Sequence, residues 1–232
     1  MFSIRRSDER GGNDFGWLDT RYSFSFNNYY DPRFMGFRAL RVINEDRIKP
    51  GRGFPTHGHS DMEIVTYVVN GSLAHKDSTG AEEQITSGEI QRMSAGTGIM
   101  HSEYNPSPDD ETYLFQIWIE PSIEGLQPSY EQKKFSEEDK LGKMKLIASK
   151  DGRDGSLTIS AETEVFASIL NEGDELEYSI GTNRHVWIQL ISGEMEVSGN
   201  TIRSGDGIAV SEEEAISIIA RMPSEFLMFD LA

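Results

Sequence analysis

The chain has no cysteine, which removes thiolate chemistry, cysteine-held zinc and iron–sulfur clusters. Any metal must be held by imidazole, carboxylate or carbonyl. Positive charge is also scarce: 22 Lys and Arg stand against 39 Asp and Glu, a formal net charge of −17. Direct nucleic-acid binding is excluded on that ground, because phosphate contacts need clustered cations. No apolar run approaches the roughly 20 residues that cross a bilayer. Met1 to Gly12 are polar and charged and carry no apolar core of a secretory signal. These absences predict a soluble, cytoplasmic protein in a reducing compartment, with no membrane partner.

What is present is the composition of a folded chain, 37% hydrophobic and 10% aromatic over 232 residues. At this length a compact chain buries roughly 70–75% of its unfolded surface, so a core forms without disulfides or a structural metal. Glycine is frequent, and short β-rich runs recur between turn signals. Glu63 to Val69 followed by Asn70-Gly71 predicts a strand and a hairpin turn. Further strands are expected at Ala39 to Ile43, Leu73 to His75, Ile90 to Met93 and Thr112 to Glu120. In the last, Tyr113, Phe115, Ile117 and Ile119 share one face and Leu114, Gln116 and Trp118 the other, so both faces are expected to be covered. The segment 124–140 is polar, contains Pro128 and reads as a connector, with a short helix at Ser136 to Lys140 capped by Ser136.

Strand-like runs then resume at Leu157 to Ile159, Val165 to Leu170, Val186 to Ile191, Met195 to Val197, Gly207 to Val210, Ile216 to Ile219 and Phe226 to Phe229. The second half repeats the first: Tyr67 to Gly71 with Ser87 to Ile90 matches Leu190 to Gly193 with Ser204 to Gly207. The interval is 17 residues from Gly71 to Gly88 and 12 from Gly193 to Gly205, as a shorter hairpin in the second copy would give. The fold class expected is all-β, two small β-barrels with short helical connectors: 1–123, a connector at 124–140, and 141–232.

Two pairs carry the chemistry, His57-Gly-His59 and His101-Ser-Glu103. Residues i and i+2 of a strand point to one face, so each pair aims two side chains into one interior. If the strands are neighbours, three imidazoles and one carboxylate converge, a suitable set for Fe(II), with Mn, Ni, Cu and Zn compatible by ligand type. Glu63 shares strand parity with His59, so parity alone does not decide which carboxylate binds. His75 and His185 have no partner at ligand spacing and are read as ordinary residues.

Gly51 to Gly71, with His57, His59 and Glu63, resembles the first cupin motif, and Gly88 to Asn105, with Gly96, His101 and Asn105, the second. The spacing departs from the usual pattern: seven residues separate Glu63 from Gly71, and Ser94 stands where proline is common. With Gly16 to Asp19, Ser23 to Phe26, Tyr29 to Pro32, Met35 to Phe37, Leu40 to Val42 and Ser94 to Gly98, the chain resembles the pirin family.

The resemblance implies a bicupin. The N-terminal cupin would hold one metal on His57, His59, His101 and Glu103, and the C-terminal one would have lost its site. Glu63 would then stand behind a ligand histidine. It also implies a quercetin 2,3-dioxygenase activity, opening flavonols with O2 and releasing carbon monoxide, with Glu103 as catalytic base. Phe24, Phe26, Phe34, Met35 and Phe37 are candidates for an apolar substrate pocket, and Gln116 and Trp118 for its lining. The alternative is a non-enzymatic metal-binding regulator that docks on a transcription factor or metabolic enzyme. A monomer is expected, because two internal barrels cover each other's faces.

Overall fold

The computed structural model describes Met1–Ala232 and is almost entirely β. The chain divides into two compact units, one of residues 11–135 with 157–161, the other of residues 1–10, 136–156 and 162–232.

The first unit holds a seven-stranded and a four-stranded antiparallel sheet. The larger runs in the order Ser129–Lys134, Glu89–Ser94, Glu63–Asn70, Thr112–Ile119, Leu40–Ile48, Leu18–Tyr22, Gly11–Asp14. The smaller runs Gly53–His59, Ile99–Tyr104, Ser72–Asp77, Glu82–Thr86. Asn70-Gly71 does turn the chain, but not as the expected hairpin: Glu63–Asn70 and Ser72–Asp77 lie in different sheets, so the turn passes the chain from the larger sheet to the smaller, and only Gly71 of the two has a positive φ, +81°. A Cβ there would lie 2.8 Å from the Glu111 carbonyl, so both conformation and space require glycine. Thr112–Ile119 sits mid-sheet with Phe115, Ile117 and Ile119 fully buried on one face, while Leu114, Gln116 and Trp118 line a cavity on the other.

In the second unit the larger sheet contains Phe2–Arg5, Gly207–Val210, His185–Ser192, Ser224–Leu231, Thr163–Leu170 and Lys145–Ser149 in that order. Its four-stranded sheet runs Glu175–Ser179, Ala215–Ala220, Glu194–Val197, Asn200–Arg203. This is the strand order of the first unit repeated, and the Glu194–Val197 and Asn200–Arg203 hairpin is the shorter counterpart of Ser72–Asp77 and Glu82–Thr86. Its interior is apolar: Met195, Val197, Ile202, Ile216 and Ile218 belong to one buried cluster with Ile188 and Phe226. No histidine enters that cluster.

The boundaries differ from the sequence reading in two places. Ser129–Lys134, read as part of a connector, is an edge strand hydrogen-bonded to Glu89–Ser94. Phe2–Arg5, read with the first barrel, pairs with Gly207–Val210 of the second unit. The short helix is where expected: Glu137–Lys140 starts from Ser136, whose hydroxyl accepts from the Asp139 amide while Asp139 accepts from the Ser136 amide. No helix is long and apolar enough to cross a membrane.

Candidate metal centre

Gly53–His59 and Ile99–Tyr104 are antiparallel neighbours, with His101 opposite His57 and Ile99 opposite His59. The i, i+2 spacing therefore sends His57, His59 and His101 into the same interior. His101 Nε2 lies 3.0 Å from His57 Nε2 and 3.0 Å from His59 Nε2. Two nitrogens held at about 2.1 Å from one ion in adjacent positions stand about 3.0 Å apart, so this spacing fits a shared divalent ion. The chemistry of the donors fits as well. His57 Nδ1 is 2.9 Å from the Pro55 carbonyl, which only accepts, so the proton sits on Nδ1 and the Nε2 lone pair faces the cluster. Burial, and then the neighbouring His57, lower the His59 pKa to about 4. Burial followed by His57, His59 and His75 lowers that of His101 to about 3. Both rings are neutral at pH 7, the form that ligates.

Glu103 follows a register shift after His101 and is buried beside it. Burial pushes its carboxyl up to about 7, offset in part by Gln116 and raised further by Asp46. Gln116 Nε2 donates to both carboxyl oxygens, at 3.1 and 3.3 Å, while its own carbonyl accepts from the Thr66 hydroxyl at 2.7 Å. This chain of hydrogen bonds fixes the carboxyl's orientation.

Two residues stand differently from the sequence reading. Glu63 is buried away from the imidazoles, accepting from the Ser94 hydroxyl at 2.7 Å and from the Ser160 amide. It braces the sheet and contacts no ligand histidine. His75, read as ordinary, lies opposite Glu103 across the strand pair, and His75, His101 and Glu103 each offer an atom within 4.8 Å of the others. Both of its nitrogens are engaged, Nε2 donating to Asp77 Oδ2 at 2.9 Å and Nδ1 accepting from Gln91 at 3.5 Å. The free lone pairs belong to the other three histidines. The signal that marks His75 in the sequence is its own i, i+2 partner, Asp77.

A cavity of about 550 Å3 opens onto His57, His59 and Glu103, a volume in the range of small-molecule sites. Its walls are apolar, with Trp17 edge-on to Phe54 at 5.4 Å and Phe26 edge-on to Trp118 at 5.4 Å. Of the five apolar candidates from the sequence only Phe26 reaches it; Phe24 is in the core and Met35 is exposed. Sequence reasoning missed Thr20, Asn44 and Asp46, polar residues in the same wall.

Burial pushes Asp46 up to about 7 from 3.8, its hydrogen bond to Thr20 only partly offsetting this. Between about pH 4 and 7 the unfolded chain releases this proton and the folded one keeps it, so stability falls as pH rises through that window. The cost above pH 7 is about 4 kcal/mol. Asp46→Asn is expected to raise the melting temperature more at pH 8 than at pH 5; equal shifts would refute the burial penalty. A second prediction concerns Gly53. A Cβ there would lie 2.1 Å from the Glu103 carbonyl oxygen, so Gly53→Ala forces the two ligand-bearing strands apart. The expected result is a loss of about 1–3 kcal/mol and weaker metal binding by calorimetric titration.

The Pirin family model matches residues 3–119, and a model described as the quercetinase C-terminal cupin domain matches residues 146–231. A protein named quercetin 2,3-dioxygenase from Escherichia coli (strain K12) is 48% identical over 231 residues, covering 100% of this chain and 99% of that protein. A pirin-like protein from Caulobacter vibrioides is 41% identical with full coverage of both, 100% each. The crystal structure of the bacterial pirin YhhW from Escherichia coli in complex with nickel(II) superposes with a TM-score of 0.95 at 48% identity, covering 100% of this chain and 99% of that one. With a two-cupin fold, matching family models in both halves and relatives alike from end to end, the chain belongs to the pirin family.

Proposed function

We propose that the protein is a metal-dependent dioxygenase that opens flavonols such as quercetin with O2 and releases carbon monoxide. The observation that carries this reading is the convergence of three imidazoles beside a buried carboxyl at an apolar cavity. Support comes from the relative named quercetin 2,3-dioxygenase and from the nickel(II) complex of the related pirin. His57, His59, His101 and Glu103 would hold the ion, Fe(II) being the first choice for this donor set and redox chemistry. When bound, the ion supplies a Lewis acid for the flavonol 3-hydroxyl and a meeting place for O2.

The protein's own groups do the rest. Glu103 takes the 3-hydroxyl proton, since its carboxyl is buried beside His101 and oriented by two hydrogen bonds from Gln116. Trp17, Phe54 and Trp118 bound a flat ring and keep bulk water from it. The fixed geometry converts an encounter of three partners into an oriented one.

The test is O2 uptake by Fe(II)-reconstituted protein with and without quercetin, with carbon monoxide trapped from the headspace. Uptake that needs the flavonol and yields carbon monoxide supports the reading. No uptake in protein loaded in turn with Fe, Mn, Ni, Cu and Zn would overturn it and favour the docking role.

A further inference from the structure

Leu40–Ile48 runs through the larger sheet of the first unit, and Asn44 and Asp46, two residues apart, point from it to the same face. Both side chains line the cavity, and both are more than nine-tenths buried. Across the sheet Asn44 is the direct partner of Gln116, the residue that holds Glu103, and Asp46 is the partner of Leu114. Thr20 satisfies part of the Asp46 carboxyl by hydrogen bond. What is left over is specific: Oδ1 of Asn44 and Oδ1 of Asp46 are buried acceptors with no hydrogen-bond partner. A buried acceptor without a donor is costly, and a site built that way rewards a ligand that brings the donor.

We propose that Asn44 and Asp46 form an accepting subsite in the cavity wall that takes a ring hydroxyl of the substrate and selects hydroxylated flavonols over bare ones. This rests on the flavonol reading above and adds the substrate class within it. The geometry is consistent: the subsite is one cross-strand step from Gln116, about 4.5–5.5 Å, so a fused flat molecule with one end at Glu103 reaches it. A hydroxyl donating to Asp46 also gives the buried Oδ1 the hydrogen-bond donor it lacks. Neither residue is one of the three imidazoles; Asn44 bears on recognition alone, while the Asp46 charge also bears on the Glu103 carboxyl, so the discriminating readout is the difference between two flavonols and not the rate on one.

The experiment compares quercetin, which carries ring hydroxyls, with 3-hydroxyflavone, which has only the reacting one, in metal-loaded parent, Asp46→Leu, Asn44→Val and Asp46→Asn. The expected result in Asp46→Leu and in Asn44→Val is a fall of about 10- to 100-fold in the ratio of kcat/KM for quercetin to that for 3-hydroxyflavone, carried mainly by KM. Anaerobic binding followed by quenching of tryptophan fluorescence should show the same split without turnover. Asp46→Asn, which keeps an acceptor of the same shape, should retain the preference, and Asn44→Val supplies an independent reading should Asp46→Leu fail to fold. Equal losses on both flavonols, or none, would overturn the subsite and leave the dioxygenase standing. A metal-loaded parent that binds neither flavonol would overturn both.

Discussion

Replacing His101 with alanine is expected to empty the site of metal and to abolish flavonol-dependent O2 uptake. His101 is the hub: its Nε2 is the one within 3.0 Å of both other imidazoles, and its ring lies 5.3 Å from that of His75. Without it His57 and His59 remain on a half-buried strand and Glu103 loses the partner two residues before it. Loss of a Lewis acid worth several kcal/mol is a loss of about a thousandfold or more in rate. The fold should survive. A large-to-small change in a core costs about 2–5 kcal/mol, but here the deleted ring carries a buried Nδ1 with no hydrogen-bond partner, which places the cost at the low end. Metal content by mass spectrometry beside a thermal melt separates the two effects. A folded variant that still binds one equivalent of metal would remove His101 from the ligand set.

Glu103→Gln is expected to keep part of the metal and lose turnover by about 10²- to 10⁴-fold in kcat, the range for a positioned base. The amide is nearly the same shape, yet it must satisfy Gln116, whose Nε2 now donates to both carboxyl oxygens. The new side chain therefore turns its carbonyl to Gln116 and its NH2 toward the imidazoles, where a donor neither ligates nor accepts a proton. The check is kcat for quercetin in protein with measured metal occupancy. Undiminished kcat at full occupancy would leave Glu103 with no role as base.

The convergence of His57, His59 and His101 was legible because its signal is local: i, i+2 pairs, each beside a glycine-rich turn, need only a neighbouring strand to meet. The helix begun by Ser136 was readable for the same reason, since one or two residues set the backbone; the turn at Asn70-Gly71 was readable too, but not that it joins two sheets, because pairing is decided by distant strands. Residues whose role comes from across the sheet were not. Glu63 shares strand parity with His59, but which strand lies opposite decides its partner, and that partner is Ser94. Asn44 and Asp46 lie on the buried face of Leu40–Ile48 with Leu40, Val42 and Ile48, but being polar at inward positions they break the hydrophobic alternation that would have marked that face. Ser129–Lys134 is an edge strand with half its residues polar and exposed, so hydrophobic periodicity could not reveal it.

The pairing of Phe2–Arg5 with Gly207–Val210 has a consequence for how the polypeptide is made. Arg5 leaves the ribosome before Gly207 and waits for it about 200 residues, which at about 5–20 residues per second is roughly 10–40 s. During that wait residues 11–135 supply all seven strands of their larger sheet, while Phe2–Arg5 has an unpaired edge and no partner within reach. Phe2–Arg5 is thus synthesised long before the strand it pairs with, so nascent chains arrested before residue 207 should expose it to proteases and chaperones.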